Sequence, residues 1–390
     1  MRSPSFVARA RDRLPEPERF TSPLHSQRTA AILGLALGVC FSVSFVTGLI
    51  SHLIQHPPGW LTWPPRPAGF YRVTQGLHVV TGVASIPLLL GKLWTVYPHF
   101  WTRPGVRDAA HAVERISLFP LVGGSLFMLF TGTINVARWY RPMPFFFTVA
   151  HYWAAYILVG AMIVHIGAKA ATTRLALSRR SPDLAVPSSA DGALGRRGFL
   201  GALAATSLAL VATTAGQTFR PLRQLGILAP RDPDVGSLGI PVNRPAVEAG
   251  VVDLARDPAY RLAVEGAVGT PLSFSLDDLR ALPQHEATLP IACVEGWSAS
   301  ATWRGVRVRD LLARAGAGGD ATVLVESLEP QGVYRVSALN HPQASDADTL
   351  LALELDGRVL DVDHGFPVRL ISPNRPGVLQ TKWVKRLEVR

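Results

Sequence analysis

Two imidazoles inside one apolar run, and one cysteine outside all such runs, set what chemistry this sequence can do. His151 and His165 stand fourteen residues apart within the run Phe145–Ala168. On a helix that spacing is close to four turns, about 21 Å, so both rings leave the same face near opposite ends. An ionisable side chain in a hydrocarbon core is costly and is kept for function. Two imidazoles at two depths suit two stacked haems, each iron then needing a second axial ligand, for which neutral imidazole is a common choice. His78, in the run Gly76–Phe100, lies at the depth of His151. His25, just ahead of the run Thr29–Leu53, lies at the depth of His165. His52, His56, His99 and His111 fall at run edges, where water solvates them, and read as interfacial.

Cys293 closes the apolar stretch Leu289–Ala292 and is followed within three residues by Gly296. A thiol at a strand end before a glycine turn is held on a rigid element and aimed out of the sheet, and its thiolate is a soft, anionic metal ligand. The second cysteine, Cys40, lies inside an apolar run, so the two are not expected to meet and no disulfide framework is implied.

The elements that must carry these residues are membrane spans and a soluble domain. Thr29–Leu53, Gly76–Phe100, Ile116–Ala137 and Phe145–Ala168 are long and apolar enough to cross a bilayer, which takes roughly 20 helical residues. Lys92 interrupts the second near one end, from which it can snorkel to the headgroups. A fifth run, Gly198–Phe219, is rich in small residues. The tail before Thr29, the loop 92–115 and the linker 169–197 carry 6, 4 and 6 Lys+Arg, against two in each alternate loop. This bias places the N-terminus in the cytoplasm and everything after about Gln217 outside. Directly before the fifth run, Gly195-Arg196-Arg197-Gly198-Phe199-Leu200 looks like a twin-arginine export signal set inside the chain.

Charge divides the chain the same way. Residues 1–219 hold 20 Lys+Arg against 7 Asp+Glu, while 220–390 hold 19 against 21. The basicity behind the overall net charge of +11 therefore sits in short loops between spans, as a topology signal, and nucleic acid is not an expected partner.

Beyond the fifth run, strands are expected at Arg261–Val264, Leu289–Ala292, Thr322–Glu326, Val333–Val336, Leu351–Leu355, Val359–Val362, Pro367–Ile371 and Lys382–Val389. Asp356-Gly357 reads as a hairpin turn, Ser275-Leu276-Asp277-Asp278 as a capping box, and Arg309–Ala315 as a helix ended by Gly316. The result is an α+β domain, mostly strands.

The histidine placement resembles the bacterial four-helix di-haem cytochrome b family over roughly residues 20–175, in which helix four supplies two ligands and helices one and two supply one each. The resemblance implies His25, His78, His151 and His165 as ligands to two haem b irons. The stretch around Cys293, with Trp303-Arg304-Gly305 after it, resembles the molybdenum-binding domain of the sulfite oxidase superfamily. So do His364-Gly365-Phe366-Pro367-Val368-Arg369 and Gln380-Thr381-Lys382-Trp383, with Pro241-Val242-Asn243-Arg244 as a further match. This implies a molybdenum-molybdopterin cofactor with Cys293 as its protein ligand, and with His364, Arg369 and Lys382 on the pterin and its phosphate. Asn243, Arg244 and Gln380 are implied as further cofactor contacts. The tyrosine and extra arginines that bind oxyanion substrate in sulfite oxidases have no clear counterpart in the sequence.

The expected architecture is therefore multi-domain. An all-α transmembrane four-helix di-haem cytochrome b-like domain occupies 1–175. A linker with the twin-arginine motif and a fifth anchor helix follows over 176–219, and a mostly β molybdopterin-binding oxidoreductase domain over 220–390. The function this implies is electron exchange between the quinone pool and a small extracytoplasmic substrate, with an S- or N-oxide favoured over sulfite. The protein would sit in the bacterial cytoplasmic membrane, its C-terminal domain on the periplasmic side beside an extracytoplasmic electron-transfer partner. The alternative is a non-enzymatic electron carrier or redox sensor with a metal-free soluble domain.

Overall fold

The computed structural model describes residues 20, 22–101, 108–178, 195–215, 219–229, 231 and 236–390. The basic N-terminal tail up to residue 19, Arg103 and Arg107, most of the linker and Gln217 lie outside the described residues.

Five helices follow the apolar runs: α1 (Gln27–Gln55), α2 (Phe70–Val96), α3 (Ala109–Val136), α4 (Phe147–Leu177) and α5 (Arg196–Ala215). Each is long and apolar enough to cross a membrane. Their outward faces carry Leu35, Phe119, Ile157, Ile163 and Leu208, the reverse of what a water-soluble surface presents. Polar side chains join the helices where no water competes. Ser44 and Thr81 share a hydrogen bond of 2.7 Å, Lys92 Nζ donates to Ala30 O at 2.5 Å, and Ser207 Oγ donates to Ala84 O at 2.9 Å.

The chain divides into two compact units, Met1–Val46 with His78–Ala212, and Thr47–Leu77 with Thr213–Arg390. The connection between α1 and α2, with the helix ends that flank it, thus belongs to the second unit.

The second unit is built on two five-stranded sheets. Ten strands form: β1 (Leu262–Gly266), β2 (Leu272–Phe274), β3 (His285–Ala292), β4 (Ser298–Arg307), β5 (Val323–Ser327), β6 (Val336–Leu339), β7 (Leu350–Leu355), β8 (Arg358–Val359), β9 (Arg369–Ile371) and β10 (Val384–Val389). One sheet runs β2-β1-β10-β5-β6, with β1 parallel to β10; the other runs β3-β4-β7-β8, with β9 also on β7. Strand β7 is buried on both faces. Leu351 and Leu353 join the core shared by the two sheets, while Leu350 and Ala352 face a second core with Leu289, Ile291, Ala301 and Trp303. This second core seats the strand end that carries Cys293.

The capping box forms as expected: Ser275 Oγ accepts from Asp278 N and the Asp278 carboxylate accepts from Ser275 N, opening α6 (Leu276–Ala281). A further helix, α7 (Val308–Arg314), ends before Gly316. Two strand expectations shift. The strand expected at Val333–Val336 begins only at Val336, because Val333 is exposed in the preceding turn. The strand expected over Val359–Val362 stops at Val359 and gives way to a 3-10 turn, Val362–His364, that Asp361 caps. Strands β2 and β4 were not anticipated.

Candidate functional site

Cys293 sits on a tight turn. Its N–H donates to Trp297 O at 2.8 Å, and Gly296 N–H donates back to Cys293 O at 3.1 Å. Gly296 adopts φ +95°, a conformation that a side chain would strain, which explains the glycine. The thiol is 3% exposed. Asn243 Nδ2 donates to its sulfur at 2.8 Å, while Asn243 Oδ1 accepts from Trp297 Nε1 at 3.1 Å. Indole nitrogen only donates, so the second contact fixes the amide orientation and leaves the amino group to the sulfur. An N–H aimed at sulfur favours the thiolate, the form that binds metal.

Sequence reasoning missed a tyrosine here. Tyr334, half-buried in the turn between β5 and β6, lies within electrostatic reach of Cys293; burial, then the thiol, push its phenol above the ordinary value. Its proximity is made by the turn, so no local motif announces it. Glu295, two residues after Cys293, is buried with Arg231 at 4.0 Å.

A cationic cluster forms from the second block of motif residues. Gly365, at φ +111°, ends the 3-10 turn, and a Cβ there would lie 3.1 Å from Lys382 Cβ and 3.2 Å from Arg369 Cβ. The missing side chain is what allows the two cations to close around it. Arg369 is buried, with Nη1 donating to His364 O at 3.0 Å and its guanidinium 5.3 Å from the centre of the Trp303 ring. Its Nε is buried without a partner, and among the described residues no carboxylate lies within ion-pair distance of it. Lys382 Nζ donates to Arg244 O at 2.6 Å and Asp363 O at 2.9 Å. His364 Nε2 donates to Ser237 O at 2.5 Å, which fixes the neutral tautomer.

Burial pulls Arg369 down to about 9. Burial, then the Arg369 charge, hold His364 down to about 4 and Lys382 down to about 7, although Asp363 and Glu329 oppose the latter shift. A buried guanidinium without a counter-charge is expensive, so Arg369, with Lys382 beside it, could hold an anion, and a phosphate suits the guanidinium fork. The remaining motif residues are placed differently. Arg244 is exposed and ion-pairs with buried Glu329. Gln380 spends both ends of its amide on the backbone of Ser372, at 2.8 Å each, which makes it a brace for the end of β9.

A pH dependence follows. An ordinary lysine keeps its proton to 10.5, whereas Lys382 in the fold loses it near 7. Between those values the unfolded chain binds a proton that the folded, cofactor-free domain does not, so stability rises with pH across that window. Below it the charging penalty is fully present. The melting midpoint of cofactor-free protein should therefore climb from pH 7 toward 10, and a bound anion, by restoring the proton, should flatten the slope. An equal slope in Lys382→Met would show that another group is responsible.

In the helical unit, His78 Nδ1 lies 2.8 Å from Ser44 O and His25 Nδ1 3.1 Å from Thr95 O. Carbonyl oxygen only accepts, so both rings carry their proton on Nδ1. His151 Nδ1 lies 2.7 Å from Thr131 Oγ1, whose own proton goes to Phe127 O at 2.8 Å, and the same tautomer follows. With Nδ1 protonated, Nε2 bears the lone pair that ligates a metal. The His78 and His151 rings meet edge-on, at 64° with centroids 6.3 Å apart, a separation that suits one metal ion held about 2 Å from each nitrogen. His165 Nδ1 is buried without a partner. His25 packs on Trp94 at 4.4 Å, so His78 and His151 are brought together, while among the described residues no ring contact joins His25 to His165.

Residues 249–390 match the family model described as "Oxidoreductase molybdopterin binding domain", so the C-terminal region carries a molybdopterin-binding oxidoreductase domain. The chain is similar to mitochondrial sulfite oxidase of Mus musculus, 37% identical over 161 residues that cover 34% of this chain and 30% of the mouse protein. It is also similar to the putative protein-methionine-sulfoxide reductase subunit YedZ1 of Azospira oryzae, 35% identical over 134 residues that cover 34% of this chain and 49% of that protein. The chain thus spans less than half the length of these curated relatives. Among solved structures, the sulfane dehydrogenase SoxCD from Paracoccus pantotrophus is 26% identical, with a TM-score of 0.31, over 34% of this chain and 38% of that one.

Proposed function

We propose that the protein is a membrane-bound molybdenum-cofactor oxidoreductase that exchanges electrons between the quinone pool and an extracytoplasmic substrate, with two b-type haems as carriers. The observation that carries this reading is the pairing, in one domain, of a buried thiol that receives an N–H bond with a buried arginine that has no carboxylate within ion-pair distance among the described residues. The matched molybdopterin-binding family supports the same assignment. When bound, the cofactor supplies transfer of one oxygen atom with two electrons, while haem carries electrons singly.

The chain's own residues then divide the work. Cys293 ligates the metal, and Asn243 orients its sulfur and stabilises the negative charge there. Arg369 and Lys382 would hold the pterin phosphate, His364 stays neutral and fixes the loop through Ser237, and Tyr334 lies within electrostatic reach of the Cys293 sulfur. His78 and His151 hold the outer haem; His25 and His165 are the ligands assigned to the inner one. The charge bias of the loops supports a cytoplasmic N-terminus and a periplasmic soluble domain in the bacterial inner membrane, reached through the Arg196-Arg197 export signal.

The substrate favoured is an S-oxide. One similar protein is named as a subunit of a protein-methionine-sulfoxide reductase, and a membrane cytochrome suits electron supply from quinol. Purified protein should contain one molybdenum and two haem irons per chain and should oxidise reduced dye in the presence of sulfoxides. Faster turnover of sulfite with oxidised dye would reverse the direction assigned, and a chain with haem but no molybdenum would be an electron carrier instead.

A further inference from the structure

The residues on either side of Cys293 are both held by the end of α1 and the start of α2. Ala292 packs with Ile54 and Tyr71, against which Ile50, Trp63 and Phe70 also lie. The Val294 carbonyl accepts a hydrogen bond from Gln75 Nε2 at 2.9 Å, and Gln75 is buried. The segment is itself fastened in place. Asn374 Oδ1 accepts from Tyr71 N at 3.0 Å and so caps the first turn of α2, which Gly69 has no side chain to do. The same residue donates through Nδ2 to Pro64 O at 2.9 Å and through its backbone N–H to Ala68 O at 3.2 Å. Arg66 forks onto Asp346 at 3.1 and 3.2 Å and also reaches Asp348, and Asn340 Nδ2 donates to Trp63 O at 3.1 Å. Gln75 is thus delivered by a rigid support to one point on the turn that carries the thiol.

We propose that Gln75 is a positioning residue for the Cys293 thiolate. Its N–H fixes the Val294 carbonyl and with it the Val294–Glu295 peptide inside the turn that Cys293 opens, so that the direction in which the sulfur leaves the turn is set jointly by Gln75 and by Asn243. Groups that orient a metal ligand without touching the metal govern both affinity and reactivity at such centres. The inference rests on Cys293 as the molybdenum ligand. It adds a residue that no motif near the cysteine contains, since Gln75 lies more than two hundred residues away in the chain.

The test uses the full chain with Gln75→Met, which keeps length and loses the donor, and the near-isosteric Gln75→Glu. Two readouts apply: the thiolate-to-molybdenum charge-transfer absorption of the loaded protein, and the alkylation rate of Cys293 in cofactor-free protein. Gln75→Met should shift the absorption band, lower dye-linked kcat by about 10–100-fold with KM unchanged, and speed alkylation. Gln75→Glu should behave likewise at neutral pH and recover the parental band as pH falls, because a protonated carboxyl can donate to Val294 O again. A structural lesion would not be reversed by pH. Cys293→Ser, measured alongside, separates the two claims. If it abolishes the band while both Gln75 variants keep the parental band and alkylation rate, the positioning role is wrong and the ligation stands. If the band survives Cys293→Ser, the ligation reading falls; the alkylation rates then decide alone, faster in Gln75→Met supporting control of the cysteine and unchanged rates overturning it.

Discussion

Cys293→Ser should lower dye-linked turnover on the order of 1,000-fold or more while leaving the pterin bound. Loss of an outer partner that merely orients a metal ligand costs about 10–100-fold, and loss of the ligand itself must exceed that. Serine keeps the size of the side chain, so the turn closed by Trp297 O and Gly296 N should survive. Retention of the pterin follows from geometry: Arg369 is anchored on His364 O and Lys382 on Arg244 O and Asp363 O, none of which depends on the sulfur. Arg369→Ala should do the reverse, lowering pterin content. Molybdenum and pterin per chain, measured beside turnover, separate ligation from anchoring. Full activity in Cys293→Ser would refute the first, and normal pterin content in Arg369→Ala the second.

His151→Ala should halve the haem content, from two per chain to one, and abolish quinol-linked turnover while sparing dye-linked turnover. The expectation comes from the edge-on pair: His78 and His151 each have Nδ1 committed to an acceptor, Ser44 O or Thr131 Oγ1, and their rings are 6.3 Å apart. An iron that loses one of two axial imidazoles loses low-spin character at the least. Haem extraction with quantitative spectroscopy gives the stoichiometry directly. A variant that keeps two low-spin haems would remove His151 from the ligand set.

What sequence made legible here followed from physical range. The spans were readable because a bilayer demands an apolar run of fixed length, and that demand is local. The capping box at Ser275 is local too. Strand β4 escaped because Ser298-Ala299-Ser300-Ala301-Thr302 alternates small residues, so its buried face is marked by Ala301 and Trp303 only once the fold supplies neighbours. The cysteine and the cation block could be recognised as candidates, but not their division of labour. That Gln380 braces Ser372 while Asn243 turns its amide to the sulfur depends on partners 8 and 50 residues away. Least legible was the assignment of Thr47–Leu77 to the second unit, since its cap comes from Asn374, 303 residues along the chain from Tyr71.

That assignment bears on how strong the individual contacts need to be. The segment Thr47–Leu77 meets its partners through single hydrogen bonds, one forked arginine and a small apolar cluster. As parts of one chain these groups meet at an effective concentration that a tether sets at about millimolar. Were the same surfaces carried on separate polypeptides at micromolar levels, association would be about 1,000-fold less complete, a deficit of roughly 4 kcal/mol. Covalent continuity between the spans and the soluble domain therefore substitutes for a larger interface, and a version of this protein divided into two chains would have to recover that deficit with additional buried surface.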